Sequence, residues 1–95
     1  MSEVTLTGYI LVPSADLEAV IAELPTHIAL THAEPGCLSF EVLQDQENPL
    51  RFTVNETFTD ADAFADHQAR VRASKWGAVT ENVERHYTIK GANPI

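Results

Sequence analysis

Basic residues and sulfur are scarce in this chain. Six Lys and Arg stand against 14 Asp and Glu in 95 residues, a formal charge of −8 at neutral pH with His uncharged. That balance repels phosphate backbones and anionic lipid heads, and the six cations (Arg51, Arg70, Arg72, Lys75, Arg85 and Lys90) gather only loosely around Arg70, Arg72 and Lys75. Nucleic-acid and membrane-surface partners are therefore not expected. The single cysteine, Cys37, excludes an internal disulfide framework and fits a reducing compartment. No apolar run approaches the roughly 20 residues needed to span a bilayer. Met1-Ser2-Glu3 lacks the basic start of a signal peptide, so a cytoplasmic protein is expected. The four glycines are isolated and none opens a helix as a phosphate-binding loop must, which excludes nucleotide binding by a standard motif.

Hydrophobic residues make up 44% of the chain, as in folded globular proteins. The length argues for one domain over residues 1–95, with little stability to spare. A fully enclosed cavity is hard to carve from so short a chain, and dimerisation is a common source of extra burial.

Val4 to Val12 is rich in β-branched and aromatic residues and reads as a strand ending at Pro13. Ser14 is a reasonable N-cap for a helix in which Leu17, Val20, Ile21 and Leu24 fall at i, i+3, i+4 and i+7. Pro25 removes a backbone donor, yet Ile28 continues the stripe, so a kinked or restarted helix is expected to reach Thr31 or Ala33. Glu34-Pro35-Gly36 ends it. A second strand from Cys37 to about Gln44 and a third from about Leu50 to Phe58 flank a polar, proline-bearing loop. The third strand alternates, with Phe52, Val54, Glu56 and Phe58 on one face and Thr53, Asn55 and Thr57 on the other. Thr59 and Asp62 resemble a capping box for a second helix carrying Phe64 and Val71, Ser74 caps a short helix through Trp76, Val79 and Val83, and Arg85 to Lys90 forms the last strand. The order predicts an α+β, ferredoxin-like β-α-β-β-α-β fold with an antiparallel sheet.

Metal-binding patterns are missing. His27 and His32 are five residues apart, a rotation of about 500° that separates their helix faces. Asp60, Asp62 and Asp66 lie near a helix start, where capping and solvation account for them, and Cys37, preceding an apolar strand, reads as a small buried residue and not as a nucleophile. No metal site is expected. Four residues carry a second reading. His67 borders the helix face that covers the sheet, and is either a backbone-bonded structural histidine or a base. Asn55 is a solvent or interface residue or an amide that holds an oxygen atom. Trp76 is core or a cavity wall. Glu56 is a carboxyl of raised pKa if it points inward, or the salt-bridge partner of Arg51, Arg85 or another basic residue.

Glu34-Pro35-Gly36-Cys37-Leu38-Ser39-Phe40-Glu41-Val42 resembles the segment leading into the second strand in the antibiotic biosynthesis monooxygenase family, whose members are often quinol-monooxygenase-like. The likeness continues through Phe52-Thr53-Val54-Asn55-Glu56-Thr57-Phe58 and the helix start Asp60-Ala61-Asp62-Ala63-Phe64-Ala65-Asp66-His67. Asn55 stands where Tyr is common in that family, and Phe58 replaces a frequent Trp. The resemblance implies a homodimer whose sheets pack as a dimeric α/β barrel, with a pocket between each sheet and its helices. It also implies oxidation of a small aromatic, quinol- or phenol-like substrate by O2 with no cofactor. In such chemistry His67 would be the base and Asn55 would hold an oxygen, while Trp76, Phe64, Phe58 and Glu56 would line the substrate site. The negative charge makes a neutral or weakly polar aromatic a better substrate than a phosphorylated one. A non-catalytic dimer binding a small aromatic ligand is the alternative. A haem-binding or haem-degrading homologue is the weaker one, since that branch uses an Asn in the first strand and Val4 to Val12 contains none.

Overall fold

A computed structural model describes residues 3–91. Its order is β1 (Val4–Leu11), a 3-10 turn (Ser14–Asp16), α1 (Leu17–His32), β2 (Cys37–Gln44), β3 (Arg51–Phe58), α2 (Ala61–Arg72), α3 (Lys75–Val79) and β4 (Glu84–Lys90). The strands form one sheet in the order β2-β3-β1-β4, with every neighbouring pair antiparallel. The helices lie on one face of it, and this is the ferredoxin-like α+β arrangement.

Alternation sets the inner face. Val4, Leu6 and Ile10 of β1, Phe40 and Val42 of β2, and Phe52, Val54 and Phe58 of β3 are all buried and form the core with Val20, Phe64, Trp76 and Val83. Each such side chain removed from water contributes about 1.5–3 kcal/mol. Thr7, Thr53, Asn55 and Glu41 point the other way and are exposed. β4 can lie close to β1 because Gly8 has φ +148°, and a Cβ there would come within 1.9 Å of the His86 carbonyl oxygen. Cross-strand partners share a face, so the pairing of Gly8 with Tyr87 and of Ile10 with Arg85 brings Tyr87 and Arg85 to the inner side.

Several local expectations are corrected. Ser14 does not cap α1: Ser14–Asp16 is a separate 3-10 turn, and Asp16 at the N-cap makes no side-chain capping bond. The helix is not restarted at Pro25 but runs through it as one element. Ile21, whose carbonyl loses its donor, and Pro25 itself are both exposed, where water can serve the orphaned group. The buried residues of α1 are accordingly Val20, His27 and Thr31, while Ile21 is 45% exposed. For α2 the cap is Asp60 rather than Thr59, its carboxylate accepting from the Ala63 N–H at 2.8 Å. Ser74 caps α3 by accepting from Gly77 N–H at 3.2 Å, and α3 stops at Val79, where the Thr80 hydroxyl donates to the Trp76 carbonyl at 2.6 Å.

Candidate active site

Between the inner face of the sheet and the helices lies a cavity of about 320 Å³, within the range of small-molecule sites. Leu6, Ile10, Val42 and Val54 give it an apolar floor, and Trp76 and Val71 face them from the helices. Into this apolar space project His27 from α1, Glu56 from β3 and His67 from α2.

His67 is held from behind. Its Nδ1 lies 3.0 Å from Oε1 and 3.2 Å from Oε2 of Glu34, in the segment between α1 and β2. Glu34 is itself fixed by Arg70 Nε, and Arg70 donates through a terminal nitrogen to the Thr31 hydroxyl at 2.9 Å. A carboxylate accepts only, so Nδ1 carries the hydrogen and Nε2 is left with its lone pair. Phe58 packs at a tilt against the imidazole with ring centres 4.8 Å apart, and Phe64 packs on Phe58 at 5.6 Å.

The free Nε2 lies 3.7 Å from Glu56 Oε1, too far for a hydrogen bond. Nor is the contact an ion pair. Burial pushes Glu56 up to about 7, with the Glu34 charge adding to the rise. Burial likewise lowers His67 below its ordinary value, against an opposing pull from Glu34. Glu56 is therefore protonated across weakly acidic pH, burial favours the neutral form of His67, and Glu56 Oε1 has no hydrogen-bond partner. An acceptor nitrogen and a carboxyl group thus converge on one end of the cavity with unused bonding capacity. This can remove a proton from a bound molecule and return one to it.

His27 stacks face to face on Trp76, with centres 4.5 Å apart and planes 4° from parallel. Burial, helped by repulsion from His67 and Arg70, drives it down to about 3, so it stays neutral. His32 instead lies against the Phe40 carbonyl oxygen at 3.0 Å, and the two histidines share no site. Among the described residues no group of three or more His, Cys, Asp or Glu side chains could hold a metal ion.

The structure brings His67, Glu56 and Trp76 together at the cavity and separates the other three singled-out residues from it. Asn55 is exposed on the outer face, paired with Thr7 and Glu41. Neighbours on a strand point to opposite faces, so once Glu56 is inside, Asn55 cannot be. Phe58 and Phe64 do not line the cavity either; Phe58 backs the His67 ring and Phe64 packs behind Phe58. Glu56 pairs with neither Arg51 nor Arg85, and Arg51 lies on the outer face over the Tyr9 ring, 3.7 Å from its centre. Sequence reasoning missed Glu34, Arg70, His27, Arg85 and Tyr87. Only Glu34 left a signal, as the first residue of the Glu34-Pro35-Gly36-Cys37 motif.

The fold and the site together define a small α+β protein with a carboxylate-held histidine at the end of an apolar cavity. A model of the family described as antibiotic biosynthesis monooxygenase matches residues 4–78. The chain belongs to that family. Among solved structures it resembles a Bacteroides thetaiotaomicron protein of unknown function described as a possible oxidoreductase, with TM-score 0.77 and 21% identity, covering 93% of this chain and 95% of that one. A structure described as an antibiotic biosynthesis monooxygenase gives TM-score 0.74 and 19% identity, covering 100% and 99%. PA3566 from Pseudomonas aeruginosa gives 0.72 and 25%, covering 95% and 91%. No curated protein matches the sequence. No helix among the described residues is long and apolar enough to cross a membrane.

Proposed function

We propose that the protein is a monooxygenase that deprotonates a phenol- or quinol-like aromatic in its cavity and lets the anion react with O2, with no metal or flavin. The observation that carries this reading is His67, bound through Nδ1 to Glu34 and presenting an unprotonated Nε2 to the cavity beside Glu56. Triplet O2 reacts with closed-shell organic molecules only after accepting one electron, so the protein's task is to make an electron-rich anion. His67 Nε2 takes the phenolic proton. The phenolate gives one electron to O2, and the radical pair joins to form a C–O bond at a ring carbon that still bears hydrogen. The peroxide then takes a proton, for which Glu56 is the nearby donor. Loss of the ring hydrogen as a proton breaks the O–O bond, leaving a quinone and water. The substrate supplies all four electrons and no reductant is required. Trp76 and the aliphatic floor exclude water and lie against the ring.

Oxygen uptake with a panel of hydroquinones and anthrones tests the reading; if none consumes oxygen above the uncatalysed rate, it fails. The protein works in this reading as a homodimer, the outer sheet face of one copy covered by that of another. Sedimentation equilibrium is expected to give twice the 10.5 kDa chain mass, and the mass of one chain would contradict the dimer.

Glu34 has a positioning role in this chemistry. Glu34→Gln offers Nδ1 an amide that can donate as well as accept, so the reactive tautomer is no longer enforced. A fall in kcat of about 10–100-fold is expected, the scale for loss of a carboxylate that orients a functional histidine. Glu34 raises the pKa of His67, so its removal also moves the acidic limb of the kcat/KM profile to lower pH. An unchanged limb would assign Glu34 a purely structural role.

A further inference from the structure

The opening of the cavity carries charge that the reaction above leaves unused. Arg72 and Arg85, two of the six basic residues of a strongly acidic chain, line the cavity while remaining exposed. Among the described residues neither has a carboxylate within 4.0 Å, whereas Arg70 is paired with Glu34 and Lys75 reaches Glu23 at 4.0 Å. Arg85 is also positioned: one terminal nitrogen donates to the Thr80 carbonyl at 3.1 Å and lies 3.4 Å from its hydroxyl, and the guanidinium also hydrogen-bonds the Tyr87 hydroxyl, which still leaves part of its five-donor fork for a ligand. Tyr87 and Gln68 add further polar groups to the lining. Burial, with Glu56 adding and Arg85 opposing, pushes the Tyr87 phenol up to about 12, so it remains a hydrogen-bond donor.

A guanidinium presents a planar fork of donors that matches a carboxylate, and such charge-assisted bonds are about twice as strong as neutral ones. The net charge does not forbid an anion here, because charges beyond about 8 Å are largely screened at physiological ionic strength. We propose that the aromatic substrate is a carboxylic acid, its carboxylate held by Arg72 and Arg85 at the cavity opening and its phenol end turned to His67. This rests on the aromatic-substrate reading of the same cavity. A carboxylate suits the site better than a phosphate, because the Glu34 carboxylate behind it, and the apolar surroundings that keep Glu56 protonated, penalise a second negative charge.

Calorimetric titration of the full chain under nitrogen tests this, using regioisomeric hydroxynaphthoates, their uncharged carboxamides and 1-naphthyl phosphate. At least one acid is expected to bind about tenfold or more tightly than its amide, and more tightly than the phosphate. Combining Arg72→Gln with Arg85→Gln is expected to shrink that preference to about twofold or less, while Arg85→Lys retains part of it. Because the preference is electrostatic, it also falls with added salt in the unaltered protein, a readout that needs no variant to fold. The proposal is overturned if no acid is preferred, if the double variant keeps the preference, if salt leaves it unchanged, or if the phosphate binds best. Binding is read without oxygen, so an acid preference here together with no oxygen uptake in the separate assay in air would count against oxygenation alone.

Discussion

Replacing His67 with alanine is expected to lower kcat for oxygen consumption by about 10²–10⁴-fold, the usual worth of a positioned general base. The cause is specific. Nδ1 is committed to Glu34 at 3.0 Å, so Nε2 is the nitrogen free to accept a proton from a molecule in the cavity. Burial lowers the His67 pKa, which keeps the ring in its basic form at neutral pH. The variant is expected to bind the substrate nearly as well as the original, since the apolar floor and Trp76 are untouched. A loss of binding with kcat unchanged would make His67 a wall and not a base. A protein that only binds aromatic ligands would consume no oxygen in either form.

The second large effect is on stability and has opposite signs at two buried groups. In the folded state Glu56 has its pKa raised from an ordinary 4.5 to about 7. A raised folded pKa gives stability that is complete below about 4.5 and is lost as pH rises through 7. His27 is depressed from 6.5 to about 3, so its contribution is present above about 6.5 and is lost as pH falls towards 3. At about 1.4 kcal/mol per pKa unit, Glu56 is worth on the order of 3 kcal/mol and His27 on the order of 5 kcal/mol across their windows, large shares of a total of about 5–15 kcal/mol. The charged and titratable neighbours are few: His67, Glu34, Cys37 and Tyr87 act with Glu56, and His67 and Arg70 with His27. Glu56→Gln keeps the shape and removes the titration. Urea unfolding is expected to show it gaining on the original protein by on the order of 3 kcal/mol between about pH 5 and pH 8. His27→Phe is expected to flatten the acid side instead. A constant difference between Glu56→Gln and the original over that range would show that Glu56 is already ionised in the folded protein.

Local periodicity carried the fold. The alternation of Phe52, Val54, Glu56 and Phe58 announces a strand with one buried face, and it also puts Glu56 in the core. The same alternation rules out Asn55 as a cavity residue, a consequence that follows from the pleat once the side of the helices is known. The site was harder to read because its defining contacts are not local. Glu34 and His67 are 33 residues apart, joined only when the end of α1 meets α2. His27 reads as unpaired when tested only for metal spacing, yet the fold stacks it on Trp76. Arg85 and Tyr87 sit on an exposed edge strand with no hydrophobic alternation, so their face is set by register with β1 and not by β4's own sequence.

The central claim is that His67 meets the cavity with a bare Nε2. Long-range proton–nitrogen NMR of the imidazole at neutral pH reads this directly, since protonated and unprotonated ring nitrogens resonate far apart. The structure predicts a single tautomer with the hydrogen on Nδ1 and none on Nε2, lost or mixed in Glu34→Gln. A hydrogen on Nε2 in the unaltered protein would leave no base facing the substrate and would contradict the account.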